Sequence, residues 1–199
     1  MPDVLKLKMD KAVFLVDAGY LSFISKFLGN GRHLRFKIED FAINLFERSG
    51  LECESIYYYT APPYQSPKPS EEENKRKAKY DKFIGKLKLV NNPKVIIREG
   101  RCQKSDDGFS QKGVDTLITM DLMKISAENK IKKIVLLSAD TDFVPVIEDI
   151  RKNEKVQVYL AYFTDRKRKS PFSLSNHLWN VCDKKVLIKI SDFYGKRNN

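Results

Sequence analysis

Apolar residues recur along this chain at two spacings. Short unbroken runs at Ala12–Val16 (AVFLV), Lys94–Arg98 (KVIIR) and Ile134–Leu137 (IVLL) have the length of buried strands. Glu54–Thr60 (ESIYYYT) and Lys155–Tyr162, which contains VQVYLAY, add two strands rich in β-branched and aromatic residues. Helical spacing fills the intervals. Tyr20–Leu28 reads as a helix, and Lys37–Glu47 places Ile38, Phe41, Ala42, Leu45 and Phe46 on one face. Ser70–Glu73 (SEEE) offers a Ser cap and an acidic first turn to a third helix, with Tyr80, Phe83, Ile84 and Leu87 on its apolar face. A fourth helix begins near Gly113 and carries Val114, Leu117, Ile118, Leu122 and Ile125; a fifth, Asp142–Lys152, turns Val146, Ile147 and Ile150 inward. Strands alternating with helices predict an α/β fold with a central, mostly parallel sheet covered on both faces.

The connections are less regular. Ala61–Ser70 (APPYQSPKPS) should be an exposed loop, because its four prolines break any ladder. Arg101–Gly113 (RCQKSDDGFSQKG) reads as a polar, turn-rich link that reverses at Asp107–Gly108. Ser173–Val181 suggests a short helix, and Val186–Ile190 fits strand or helix equally. The expected organisation is one domain over 1–199, with a core of about 12–162 and a C-terminal extension, 163–199, on or beside it.

Composition narrows the partners. With 42% apolar and 32% charged residues in a chain of 199, a folded domain is expected, not a disordered one. No apolar run reaches membrane-spanning length, and the N-terminus lacks the order of a secretory signal. Cys53, Cys102 and Cys182 form no CxxC pair, so a disulfide framework is not expected and a reducing cytoplasm is. His33 and His177 lie in unrelated contexts and make no histidine metal motif. The formal net charge of +11 attracts polyanions, nucleic acid first among them. Lys75, Arg76 and Lys79 on the third helix, with Arg166, Lys167 and Arg168 in a basic loop, are the candidate phosphate contacts, although a solvated helix face would look the same. The basic helix and the C-terminal segment also offer surfaces for a homodimer.

Against this basic background stand four acids. Asp17 ends the first strand; Asp140 and Asp142 follow the Ile134–Leu137 strand; Asp115 lies in the first turn of the fourth helix. Capping explains each one alone. Strand ends of a parallel sheet share an edge, so together they read as an oxygen-only site for Mg²⁺ or Mn²⁺. Such an ion would activate water and orient a phosphate. No glycine-rich dinucleotide fingerprint and no GxxxxGK[ST] sequence competes with this reading.

Three stretches, VFLVDAGYL at 13–21, KGVDTLITMDL at 112–122 and LLSADTDFVPVIEDIRK at 136–152, resemble the NYN domain, and within it the LabA/DUF88 group of the PIN-like nuclease superfamily. The resemblance spans roughly 12–162. It implies a three-layer α/β/α fold and Mg²⁺- or Mn²⁺-dependent cleavage of RNA or another nucleic acid. Asp17, Asp115, Asp140 and Asp142 match the family's acids, and Asp121 a further recurring one; Lys112 and Ser138 match polar positions near the cleft. Tyr20 stands where many members carry Asn. The expectation is therefore a metal-dependent ribonuclease. A catalytically weak nucleic-acid-binding or regulatory protein on the same scaffold, or a non-enzymatic interaction module, are the alternatives.

Overall fold

A computed structural model describes residues 9–106, 108–153, 156–164 and 176–194. Strand β1 (Asp10–Asp17) buries Ala12–Val16 completely. Its side chains alternate between two cores: Phe14 and Val16 face one, Val13 and Leu15 the other. Helices α1 (Ala18–Leu28) and α2 (Ile38–Arg48) lead to β2 (Leu51–Thr60); α3 (Glu71–Lys88) leads to β3 (Lys94–Glu99). The tyrosines of β2 are mainly structural: Tyr58 and Tyr59 are buried and Tyr57 half-buried. A two-stranded antiparallel ribbon, β4 (Arg101–Ser105) and β5 (Gly108–Lys112), precedes α4 (Val114–Glu128) and β6 (Lys133–Leu137). A 3₁₀ turn, Thr141–Phe143, runs into α5 (Val144–Asn153); β7 (Gln157–Tyr162), α6 (Asn176–Val181), β8 (Lys184–Leu187) and a 3₁₀ turn at Ile190–Phe193 complete the described chain.

Six strands form one parallel sheet in the order β3-β2-β1-β6-β7-β8. Residues of α1, α2 and α3 fill the core on one face, and those of α4, α5 and α6 fill the other. The order reverses between β1 and β6. Crossovers leave these two neighbours in opposite directions, which opens a crevice at their carboxyl ends.

Several sequence expectations change. The 101–113 link is not an irregular loop but the β4–β5 ribbon; its side chains are mostly exposed on both faces, so no hydrophobic alternation marks it. The ambiguous 186–190 stretch divides between β8 and the start of the last 3₁₀ turn, and β8 pairs in parallel with β7, so the extension contributes an edge strand to the main sheet. The first helix, expected from Tyr20, already begins at Ala18. The fifth helix is interrupted at its start, with Asp142 in the 3₁₀ turn and Pro145 in the first turn of α5, where its missing N–H leaves no gap. The SEEE start holds: Ser70 and Glu73 form a reciprocal capping box. Arg166, Lys167, Arg168 and the 195–199 tail lie outside the described residues.

The C-terminal 3₁₀ turn is tied down by charge. Buried Asp192 accepts from Arg48 Nε at 3.0 Å and Nη2 at 2.8 Å, and Arg48 Nη2 also reaches the Leu187 carbonyl at 2.6 Å. Breaking a buried pair leaves a stranded charge. Arg48→Ala is expected to lower unfolding stability by about 3 kcal/mol, read as a lower urea midpoint at unchanged slope.

Candidate active site

The crevice at the β1/β6 reversal is lined by three carboxylates from three elements. Asp17, Asp115 and Asp140 share a pocket of 360 Å³ with Gly19, Tyr20, Gln111, Val114 and Ala139. Asp17 leaves β1 with extended backbone and caps α1: its Oδ1 accepts from Gly19 N at 2.8 Å and Tyr20 N at 3.2 Å. Asp140 caps the 3₁₀ turn in the same way, its Oδ1 accepting from Asp142 N at 2.9 Å. Buried Ser138 accepts from Asp140 N at 3.1 Å and so holds the backbone that aims this carboxylate. Asp115 arrives by a different route. Gly100 has no Cβ, which would lie 2.5 Å from the Lys112 carbonyl, so the base of the ribbon can close. Gly113 then takes φ +82°, a conformation costly for other residues, and turns the chain into α4.

The carboxylates crowd one another. Burial raises the proton affinity of Asp17; the Tyr20 and Gly19 N–H groups oppose this, and the charges of Asp115 and Asp140 add to it. Burial also raises that of Asp115, with Asp140 and Asp142 adding to the rise. Asp142 is exposed and faces Asp115 electrostatically without lining the pocket. Among the described residues no three Asp, Glu, His or Cys side chains converge tightly enough to grip an ion directly. One oxygen each of Asp17 and Asp140 already faces backbone N–H. The remaining hard oxygens suit Mg²⁺, which keeps several of its waters and needs only one or two carboxylates.

The secondary candidates separate. Asp121, only 5% exposed, binds Arg98 of β3 through Nε at 2.7 Å and Nη2 at 3.1 Å, and accepts from Tyr59 Oη at 3.0 Å. It does not line the pocket; it clamps α4 to the sheet about 9 Å along the helix from Asp115. Lys112 is exposed, and its neighbour Gln111 lines the pocket instead, because successive strand residues face opposite sides. Sequence reasoning missed Gln111, having no strand there to alternate. Tyr20 is 4% exposed, and its hydroxyl accepts from Phe163 N at 3.3 Å, so it pins α1 to the end of β7 while walling the pocket. Burial pushes its phenol up to about 12, so it stays protonated.

Lys75, Arg76 and Lys79 lie in the first half of α3. Tyr80 Oη donates to Glu99 at the carboxyl end of β3 at 2.7 Å, so the turns before Tyr80 extend beyond the sheet edge. Lys75 and Arg76 pair with Glu71 and Glu72 one turn back. Exposed pairs of this kind are worth little, and a phosphate can compete for both cations. A larger cavity of 620 Å³ lies between α1, the 33–37 segment and α3; its walls are mainly apolar and hold one carboxylate, Glu39. Size favours it, but convergent acid chemistry favours the smaller pocket.

The NYN domain profile matches residues 11–189. The chain belongs to the NYN family. That match continues through β8, well beyond the 12–162 stretch carrying the resembling motifs. NYN domains fall within the PIN-like nuclease superfamily, which supports a nuclease-family role and interaction with nucleic acid for this NYN protein. A crystal structure of a protein of unknown function from Vibrio parahaemolyticus is similar, with a TM-score of 0.60 and 22% identity over 93% of this chain and 96% of that one; it supports the fold alone. Cystalysin from Treponema denticola aligns at 11% identity and a TM-score of 0.35, over 86% of this chain and 42% of its own, too low to bear on fold or function. No curated protein matches the chain.

Two acids on one helix should behave oppositely when neutralised. Raised proton affinity means that the ionised form of Asp115 is the one disfavoured by folding. That penalty is full above its folded pKa and vanishes as pH falls below the unfolded value of about 3.9. Asp115→Asn in EDTA should therefore melt at or above the wild-type temperature at about pH 8, with the difference shrinking toward about pH 4. Asp121→Ala should instead melt lower at neutral pH, having lost about 3 kcal/mol by stranding Arg98 and the Tyr59 hydroxyl.

Proposed function

We propose that this NYN protein is a Mg²⁺- or Mn²⁺-dependent ribonuclease. The observation that carries the reading is the meeting of Asp17, Asp115 and Asp140 in one pocket at the strand-order reversal, where each of Asp17 and Asp115 is pushed toward its protonated form partly by neighbouring acids. A cation relieves that repulsion. Asp17, Asp115 and Asp140 would hold it in part through its bound waters, with Asp142 at the rim. When bound, the ion supplies Lewis-acid polarisation of the scissile phosphate and a source of hydroxide at neutral pH. The chain's own groups do the rest. Backbone N–H groups fix one oxygen of Asp17 and of Asp140, leaving the other directed by the cap. Ser138 orients Asp140 through its backbone; without an activating base beside it, it is not assigned as a nucleophile. Gln111 on the wall and Lys112 beside it suit contacts with the strand. Lys75, Arg76 and Lys79 would steady phosphates farther along α3, and Arg166, Lys167 and Arg168 would add charge. RNA as substrate, a cytoplasmic location and a homodimer belong to the same proposal; three free cysteines suit a reducing compartment.

The absence of a tight ligand group among the described residues favours a second reading, a nucleic-acid-binding or regulatory NYN protein with weak catalysis. Cleavage of labelled RNA and DNA in Mg²⁺, Mn²⁺ or EDTA separates the two. Wild type should cleave RNA only with metal. Folded Asp17→Asn and Asp140→Asn should lose at least about a hundredfold in rate, far more than in binding. Undiminished cleavage by either variant removes that acid from catalysis; metal-independent binding without turnover selects the second reading.

A further inference from the structure

The β4–β5 ribbon carries a feature that the acid pocket does not account for. Its register sets Lys104 opposite Phe109 and Cys102 opposite Gln111, so these four side chains share one ribbon face. Gln111 lines the acid pocket, and Phe109 stands about 7 Å farther along the same strand face. Phe109 is 61% exposed. Among the described residues its ring contact is Tyr64 of the proline-rich loop, at 5.4 Å between centroids and 42° between planes. Neither ring belongs to the two apolar cores.

The platform is braced. Glu73, in the first turn of α3, accepts from Ser66 N at 3.1 Å, Ser66 Oγ at 2.9 Å and Ser70 N at 2.7 Å, so the loop bearing Tyr64 is held against a helix start. Gln65 Nε2 adds a bond to Asn74 Oδ1 at 3.1 Å. One cation flanks the pair: Lys104 is the direct cross-strand neighbour of Phe109, while Arg101 and Lys112, paired at the base of the ribbon, face its other side. None of these cations forms an ion pair with a described residue. An exposed aromatic face with an ion-pair-free lysine beside it, one strand step from a pocket of carboxylates, matches the chemistry of an unpaired nucleobase with its phosphate.

We propose that Phe109, backed by Tyr64, stacks on one unpaired base of a single-stranded RNA whose adjoining phosphodiester enters the acid pocket, with Lys104 against the phosphate of the stacked nucleotide. This rests on the reading of the pocket as an RNA-cleaving site and adds its substrate class. A paired base is already stacked inside its helix and cannot reach Phe109, so the ribbon selects single strands over duplex.

The test reads binding without cleavage. The full chain in EDTA is titrated into a fluorescein-labelled single-stranded RNA about 12 nucleotides long, and into a blunt RNA duplex, and anisotropy is followed. Phe109→Ala should weaken single-strand binding roughly tenfold or more, leave duplex binding unchanged and keep the wild-type melting temperature. Phe109→Trp should restore single-strand binding. In wild type, an abasic nucleotide walked along the RNA should reproduce the loss at one position, and in Phe109→Ala the same lesion should cost nothing further. Single-strand binding by Phe109→Ala within about twofold of wild type, an equal loss on duplex, or no binding of RNA by wild type would overturn the proposal. If Asp17→Asn and Asp140→Asn leave cleavage untouched, the catalytic reading fails, while the anisotropy result still decides the platform.

Discussion

Everything at the candidate site depends on carboxylates held at helix starts beside a reversal of strand order. Asp17 ends β1 and Asp140 follows the neighbouring β6 by three residues, and each turns back to accept from the first N–H groups of the element that follows. Those donors have no partner inside their own helix. The caps thus start the helical turns and fix the positions of two acids. The same contacts offset part of the repulsion that burial and neighbouring charge impose on Asp17. A site built this way is held under electrostatic strain by elements that are otherwise well packed.

Two buried ion pairs keep the surrounding elements in register with that crevice. Asp121–Arg98, joined by Tyr59, locks α4 across β2 and β3 and so sets where Asp115 emerges. Arg48–Asp192 secures the end of the described chain against α2. Fixed by charge and geometry, both pairs carry positioning more than net stability, since desolvation offsets much of their attraction. An acid that recurs within a family motif, as Asp121 does by resemblance, can therefore be part of the frame of a site without entering its pocket.

The alternation of apolar runs and amphipathic stretches was enough to read the sheet, its strands and the covering helices, because burial on both faces leaves a continuous hydrophobic signature. It also identified Asp17, Asp115 and Asp140 as acids ending strands or opening a helix. Gln111 was not legible. It sits in an exposed ribbon whose residues pay no hydrophobic toll on either face, so its strand period is silent in the sequence. Lys112 holds the charge and the motif position, but alternation along β5 turns its neighbour to the pocket.

The sequence by itself determined the inner strands and the helices that cover them, the charge and the kind of oxygen donor available, since each follows from local composition and spacing. Only the tertiary structure decided which acids meet. Whether Asp115, about a hundred residues after Asp17, reaches the same pocket depends on β6 pairing with β1 and on α4 crossing back from the edge strand β3. It also decided that Asp121 turns to Arg98 and that Val186 and Leu187 extend the sheet, because partner choice for a buried charge or an edge strand is set by what lies across the fold, not beside it in the chain.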